Sequence, residues 1–205
     1  MIVFVHLPKS GGTSFREIMR SYFKTYEFWS NYSTQLSISD SANLSIPDSV
    51  KFVCGHNDAD AFELLFPKAK IVTWMRHPVN RTISLYKHII SRKHMKNNPD
   101  AQYVIDRNLN FEEFVELKWT HNYSMNFIKK MNVESFFHIG FCEYFQESLD
   151  LFSKKLGLKK NLKSTWENKS QLGDFEIDKK ILIKIVEYNS EEFEFYNRAK
   201  TIFIR

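Results

Sequence analysis

The sequence predicts an α/β fold in three layers, with a mainly parallel central sheet flanked by helices. Three observations carry that expectation. Short apolar runs at residues 2–5, 50–56, 69–75 and 136–140 have the character of strands buried on both faces. Stretches with helical spacing lie between and after them, the alternation from which parallel sheets are built. Two of the runs end in residues able to hold an anion, at the carboxyl edge where open α/β sheets place their ligands.

The first strand, Ile2 to Val5, leads through His6, Leu7 and Pro8 into Lys9-Ser10-Gly11-Gly12-Thr13-Ser14. Gly11 and Gly12 permit backbone torsions that side chains forbid, so a sharp turn is expected there. From Ser14 the period becomes helical: Phe15, Ile18, Met19, Tyr22, Phe23 and Tyr26 fall on one face, with Arg16, Glu17, Arg20 and Lys24 off it. The free N–H groups and the dipole at that helix start would point at the loop, and Lys9, Thr13 and Ser14 add charge and hydroxyl donors. An anion is the expected guest.

The lysine position narrows the anion. A nucleotide-kinase loop, G-x-x-x-x-G-K-[ST], carries its lysine directly after the last glycine; here Lys9 precedes Gly11-Gly12 and Thr13 takes the usual lysine place. The arrangement P-K-[ST]-G-[GS]-T-S resembles the 5′-phosphosulfate loop of sulfotransferases that use 3′-phosphoadenosine 5′-phosphosulfate (PAPS). That resemblance implies a P-loop-like form of the α/β fold and a cofactor loop of Lys9, Ser10, Gly11, Gly12, Thr13 and Ser14. Lys9 is then also catalytic, because charge builds on the oxygen between sulfur and the 5′-phosphate, where a fixed ammonium favours the transition state.

A second strand-end motif agrees. Residues 69–75 form an apolar strand that runs directly into Arg76-His77-Pro78-Val79-Asn80-Arg81-Thr82-Ile83-Ser84-Leu85-Tyr86. Pro78 suits the first turn of a helix, so Arg76 belongs at a strand end and Ser84 on the helix that follows. A planar, permanently charged guanidinium and a hydroxyl converging this way suit a terminal phosphate. The run R-[DH]-P-x-x-R-x-x-S-x-Y resembles the 3′-phosphate motif of the same sulfotransferases, which places those roles on Arg76 and Ser84. Many relatives have Asp after the first arginine where this chain has His77, a change that leaves both phosphate ligands in place. A kinase on such a scaffold needs an acidic strand end to help hold Mg²⁺, and this strand ends in Arg76 instead. No metal is expected.

Between the motifs, the strand through Phe52-Val53-Cys54-Gly55 ends in His56. A hydroxyl attacking sulfur gains from a base, and histidine titrates near the operating pH, so His56 is the candidate base; Asp58 and Asp60 are close enough in sequence to orient or replace it. The G-H pair after a strand and before R-x-P resembles the carbohydrate branch related to hexuronyl 2-O-sulfotransferases. Some of those carry a second histidine two residues earlier, where this chain has Cys54. The alternative for His56 is a turn-capping histidine.

The remainder reads more plainly. The basic stretch at residues 88–96, with Arg92, Lys93, His94 and Lys96, is either a solvated helix end and loop or a guide for an anionic acceptor, and it runs into polar Asn97-Asn98-Pro99-Asp100. Residues 110–117 suggest a capped short helix, residues 121–131 another, and residues 143–156 a longer one through Phe145, Leu149, Phe152 and Leu156. The segment 139–149 resembles the family's "G-x-x-E-x-F-x-x-S-L" element, where the role implied is packing. A final helix spans 178–188 and continues or restarts through Phe193 and Tyr196, preceded by Glu167-Asn168-Lys169-Ser170, read as an ordinary loop.

With 205 residues and 43% hydrophobic content, the chain can bury one substantial core, and no linker is visible, so a single domain over residues 1–205 is expected. There is no apolar run of membrane-spanning length and no leader-like segment before the first strand, which points to a cytoplasmic, bacterial enzyme. The two cysteines, Cys54 and Cys142, sit in apolar strand or strand-end sequence and are expected as buried thiols. The net charge of +5 fits a polyanionic cofactor, and no recognised nucleic-acid module is present. The expected reaction is transfer of the sulfuryl group of PAPS to a hydroxyl acceptor, a glycan or sugar, leaving 3′-phosphoadenosine 5′-phosphate (PAP). The competing expectations are a nucleotide-dependent kinase and a binding module that keeps the phosphate sites without transfer.

Overall fold

A computed structural model describes residues 1–32, 46–95, 98–128, 130–158, 162–163 and 177–204. Among the described residues five parallel strands make one sheet in the order β2-β3-β1-β4-β5, formed by β1 (Ile2–Val5), β2 (Phe28–Asn31), β3 (Phe52–Gly55), β4 (Lys70–Met75) and β5 (His138–Phe141). β1 lies at the centre, with Val3 opposite Val53 on one side and Ile71 on the other. This is the three-layer α/β architecture the alternation predicts.

The strands read as apolar runs because both faces are covered. Val3, Val5, Val53, Ile71, Ile139 and Phe141 face one layer, where α2 (Ala59–Leu65) contributes Phe62 and α9 (Ser190–Phe203) contributes Phe195, Tyr196, Ala199 and Phe203. Phe4, Phe52, Val72 and Trp74 face the other, meeting Phe15, Ile18 and Met19 of α1 (Gly12–Tyr22) and Phe145, Leu149 and Phe152 of α7 (Phe145–Leu156). The centre of that layer is aromatic, with Phe15 stacked on Trp74 at 3.8 Å between centroids. A third, helical cluster joins α3 (Pro78–Ile90), α4 (Pro99–Asp106), α5 (Phe111–Val115) and α8 (Lys179–Tyr188) through Ile83, Tyr86, Ile89, Val104, Phe114 and Ile185.

Several elements differ from the sequence expectation. The α1 face does not run on to Tyr26: Phe23 turns extended, and Tyr26 sits exposed in a single 3₁₀ turn, Thr25–Glu27, that reverses the chain into β2. β2 itself carries no clear apolar signal, since it is an edge strand with Ser30 exposed and only Asn31 buried. The polar run before Pro99 is a helix start, with Asn98 Oδ1 accepting from Ala101 N–H at 3.0 Å. The helix expected over 121–131 shrinks to one turn, α6 (Met125–Ile128), because Asn122 holds a left-handed φ of 46°. β5 lies one to two residues later than expected, and Cys142 opens a 3₁₀ turn, Cys142–Tyr144, beyond it. Both cysteines are buried free thiols. The C-terminal helix restarts at Asn189, whose φ and ψ of −120° and 28° break α8 from α9. Lys96, Asn97 and the segment Glu167 to Ser170 lie outside the described residues.

Candidate active site

The turn between β1 and α1 is built by two backbone requirements. Lys9 and Gly11 both take left-handed torsions, φ 63° and 78°, which bring the chain around in three residues. Lys9 is no glycine, so its torsion costs on the order of 1–3 kcal/mol and is held by its surroundings. Gly12, the first residue of α1, abuts the rings of His6 and Phe4; a Cβ there would overlap His6 Cδ2 and come within 2.9 Å of Phe4 Cζ. The helix start is thus seated on the end of its own strand. Its first-turn residues Gly12, Thr13 and Ser14 line a cavity of about 520 Å³ at the carboxyl edge of the sheet.

That cavity gathers most of the residues picked out by sequence. Its walls include Lys9, Gly11, Gly12, Thr13 and Ser14 from the loop, His56 from the end of β3, Arg76 from the end of β4, and Ser84 from α3. Ser10 is not a wall residue: it is buried, its hydroxyl turned to the Pro8 carbonyl at 3.5 Å. Asp58 and Asp60 are not in the walls either. They sit at the start of α2, where Asp60 pairs with Lys130 at 2.7 Å. Along α3 the residues Ser84, Leu85, His88 and Ile89 present one helix face to the cavity, and Trp119 and Tyr123 add an aromatic wall.

The electrostatics suit a polyanion. Burial first, then Arg76 and Arg92, lower the Lys9 pKa, and His88 is lowered by burial, then by Lys9 and Arg92. Cations crowded this closely favour a multiply charged anionic guest over single charges. The donor set therefore fits PAPS, with a glycine cradle, a helix start and Lys9 at one place and Arg76 with Ser84 at another.

His56 is exposed and has a defined tautomer. Its Nδ1 lies 2.6 Å from the His6 carbonyl oxygen, which can only accept, so Nδ1 carries the proton and Nε2 keeps its lone pair. Burial, and then Arg16, lower its pKa against the opposing hydrogen bond to His6. The imidazole is thus held with an unprotonated Nε2.

Three features escaped the motifs. His6 lies beside His56 with ring centroids 4.5 Å apart, because Val5 pairs with Gly55 and the next residues follow in register. The sequence shows only a histidine after a strand; the strand pairing is what brings the two rings together. Arg81, the second arginine of the Arg76 motif, is fully buried. It donates to Glu192 Oε1 at 2.7 Å and Asn189 Oδ1 at 2.9 Å, while Ser124 donates to the same Glu192 through N–H and Oγ. It ties α3 and α9 to the segment carrying Tyr123, whose ring centroid lies 5.6 Å from Arg81 Cζ. Glu143, expected to serve packing, instead caps α3: its Oε1 accepts from His77 N–H at 2.8 Å, and its Oε2 accepts from Tyr196 OH at 3.1 Å.

The parallel sheet thus belongs to an α/β fold whose strand ends bring a glycine loop, a lysine and an arginine to one cavity. Residues 1–198 match the model of the sulfotransferase family, and the chain belongs to that family. Mouse sulfotransferase SULT7A1, solved in complex with PAP, shares the fold with a TM-score of 0.52 at 15% identity; the match covers 94% of this chain and 65% of that one. No curated protein matches the chain. Among the described residues no helix is long and apolar enough to cross a membrane.

Proposed function

We propose that the chain is a PAPS-dependent sulfotransferase acting on a hydroxyl of a carbohydrate, related to the hexuronyl 2-O branch, and that residues 1–205 work as one domain of a cytoplasmic bacterial enzyme. The observation that carries the reading is the convergence of Lys9, the Gly11-Gly12 helix start, Arg76, Ser84 and His56 on one cavity. PAPS supplies the sulfuryl group. Arg76 and Ser84 bind its 3′-phosphate, and the N–H groups at residues 10–13, the Thr13 and Ser14 hydroxyls and Lys9 hold the phosphosulfate. His56 Nε2 takes the acceptor hydroxyl's proton as that oxygen bonds to sulfur. Lys9 stabilises the charge arriving on the 5′-phosphate oxygen as the old S–O bond breaks, and PAP leaves. Trp119 and Tyr123 offer aromatic faces of the kind on which a sugar ring can lie.

The test is a transfer assay with sulfur-labelled PAPS and a panel of glycans and simple alcohols. Wild type is expected to label at least one carbohydrate. His56→Ala is expected to lose about 10²–10⁴-fold in rate, the usual worth of a general base, while binding PAP as wild type does. Labelling of a non-carbohydrate alone would overturn the acceptor class, and full activity in His56→Ala would remove the base.

A further inference from the structure

The reaction just described uses one histidine at the sheet edge, but the structure builds two. His6 is 5% exposed and enclosed on several sides: it stacks on Phe4 at 5.2 Å, meets the His56 ring, and abuts Gly12 along its Cδ2–Nε2 edge. The closeness to Gly12 is costly to build, since no other residue fits there. It sets that edge of His6 against the helix start and the cavity, of which His6 is itself a wall.

The opposite nitrogen is controlled by Tyr32. His6 Nδ1 and the Tyr32 hydroxyl are 2.8 Å apart. The Arg16 guanidinium lies over the same ring, with Cζ 5.2 Å from its centroid. Burial keeps the phenol protonated, so it has one proton to give. Among the described residues the phenol's hydrogen-bond partner is His6 Nδ1. A phenol oxygen is a weaker acceptor than an imidazole nitrogen, so the phenol donates and the proton points at His6. Nδ1 then accepts, and Nε2 carries the hydrogen.

We propose that His6 is a second catalytic group, a neutral imidazole whose Nε2–H, fixed by Tyr32, donates to a non-bridging oxygen of the phosphosulfate on the glycine loop. The proposal rests on the PAPS reading of this cavity. The ring is held neutral, its pKa lowered to about 3 by burial first and then by His56, Arg16 and Lys9. Burial pushes the Cys54 thiol up to about 11 and the Tyr32 phenol higher still, so neither supplies an anion that would charge the imidazole. A neutral imidazole at a helix start is a good electrophile: it polarises an oxygen without placing another full charge beside Lys9.

Two measurements test this. Multiple-bond ¹H–¹⁵N correlation on histidine-labelled protein reads the tautomer without turnover; His6 is expected with hydrogen on Nε2 alone, and Tyr32→Phe is expected to mix the tautomers. Hydrogen on Nδ1 in wild type would overturn the proposal. In the transfer assay, His6→Leu keeps the bulk and removes the donor, and is expected to lower kcat by about 10²-fold, as loss of a transition-state donor does. His6→Gln restores an amide N–H near the Nε2 position and is expected to recover at least tenfold of that. Equal loss in both variants, with circular dichroism unchanged, would reduce His6 to a packing residue. Calorimetry with PAP on wild type separates the two failures: no PAP binding sinks the PAPS reading and this proposal with it, whereas normal binding with an unaffected His6→Leu sinks this proposal alone.

Discussion

At the scale of single residues, the site divides into groups whose chemistry is written in a local motif and groups whose role needs a neighbour. Lys9, Arg76 and Ser84 belong to the first kind. Each sits at a fixed offset from a strand end, so the spacing alone delivers it to the cavity. His6, Tyr32 and Arg16 belong to the second: His6 reads as the tail of a strand until β1 is paired with β3, and Tyr32 follows an edge strand with little sequence signal. His56 lies between the two, since Gly-His after a strand suggests a base but only the His6 carbonyl fixes its tautomer. One consequence is measurable. Because its environment lowers the His56 pKa, the neutral base persists below the ordinary histidine value of 6.5, and the acidic limb of a kcat/KM profile is expected beneath that pH. His56→Ala should abolish that limb in the residual activity, and a limb that stays in place would assign it to another group.

At the scale of elements, the contacts that hold the cavity open are those the motifs pass over. α1 rests on β1 through Gly12, so Gly12→Ala is expected to push the helix start off His6 and Phe4. PAP affinity in that variant should fall at least tenfold while α7 and the far layer stay folded; unchanged affinity would show that the loop adapts freely. α3 is fixed at its start by Glu143 and along its length by the buried Arg81–Glu192 pair. Arg81→Met leaves Glu192 buried without its cation, and is expected to cost about 3–5 kcal/mol in urea denaturation, whereas replacing both with apolar residues should recover most of it. A loss under 1 kcal/mol in the single variant would show that the pair carries little. The polar run at 97–100 and the helix pattern at 121–131 were misleading for a common reason. Capping by Asn98 and the left-handed Asn122 are decided by single side chains and torsions that hydrophobic periodicity does not register.

At the scale of the whole molecule, the alternation of apolar strands and helices made the three-layer parallel fold legible, because strands covered on both faces announce themselves by composition. The strand order, with β1 central and β2 at the edge, was not, since it depends on which layer each crossover helix covers. Burial on both faces has a cost in acid. His6 and His138 are each held neutral, with pKa values lowered to about 3, chiefly by burial. The unfolded chain takes up those protons at about 6.5, so the stabilisation is complete above that pH and is lost as pH falls through the window toward 3. Each histidine contributes a slope of about 1.4 kcal/mol per pH unit there. Denaturation at pH 6 and pH 5, before the carboxylates titrate, should show this loss, and His138→Phe should lower the slope by about 1.4 kcal/mol per pH unit; equal stability at the two pH values would contradict the burial of neutral histidines.

The central claim is that one cavity holds the two ends of PAPS, and calorimetry with PAP, 5′-AMP and Mg-ATP on wild type and Arg76→Ala tests it most directly. PAP is expected to bind about 10–100-fold more tightly than 5′-AMP, the worth of charged hydrogen bonds to the 3′-phosphate, with Arg76→Ala erasing most of that preference. Tight binding of Mg-ATP with no preference for PAP over 5′-AMP would contradict the account.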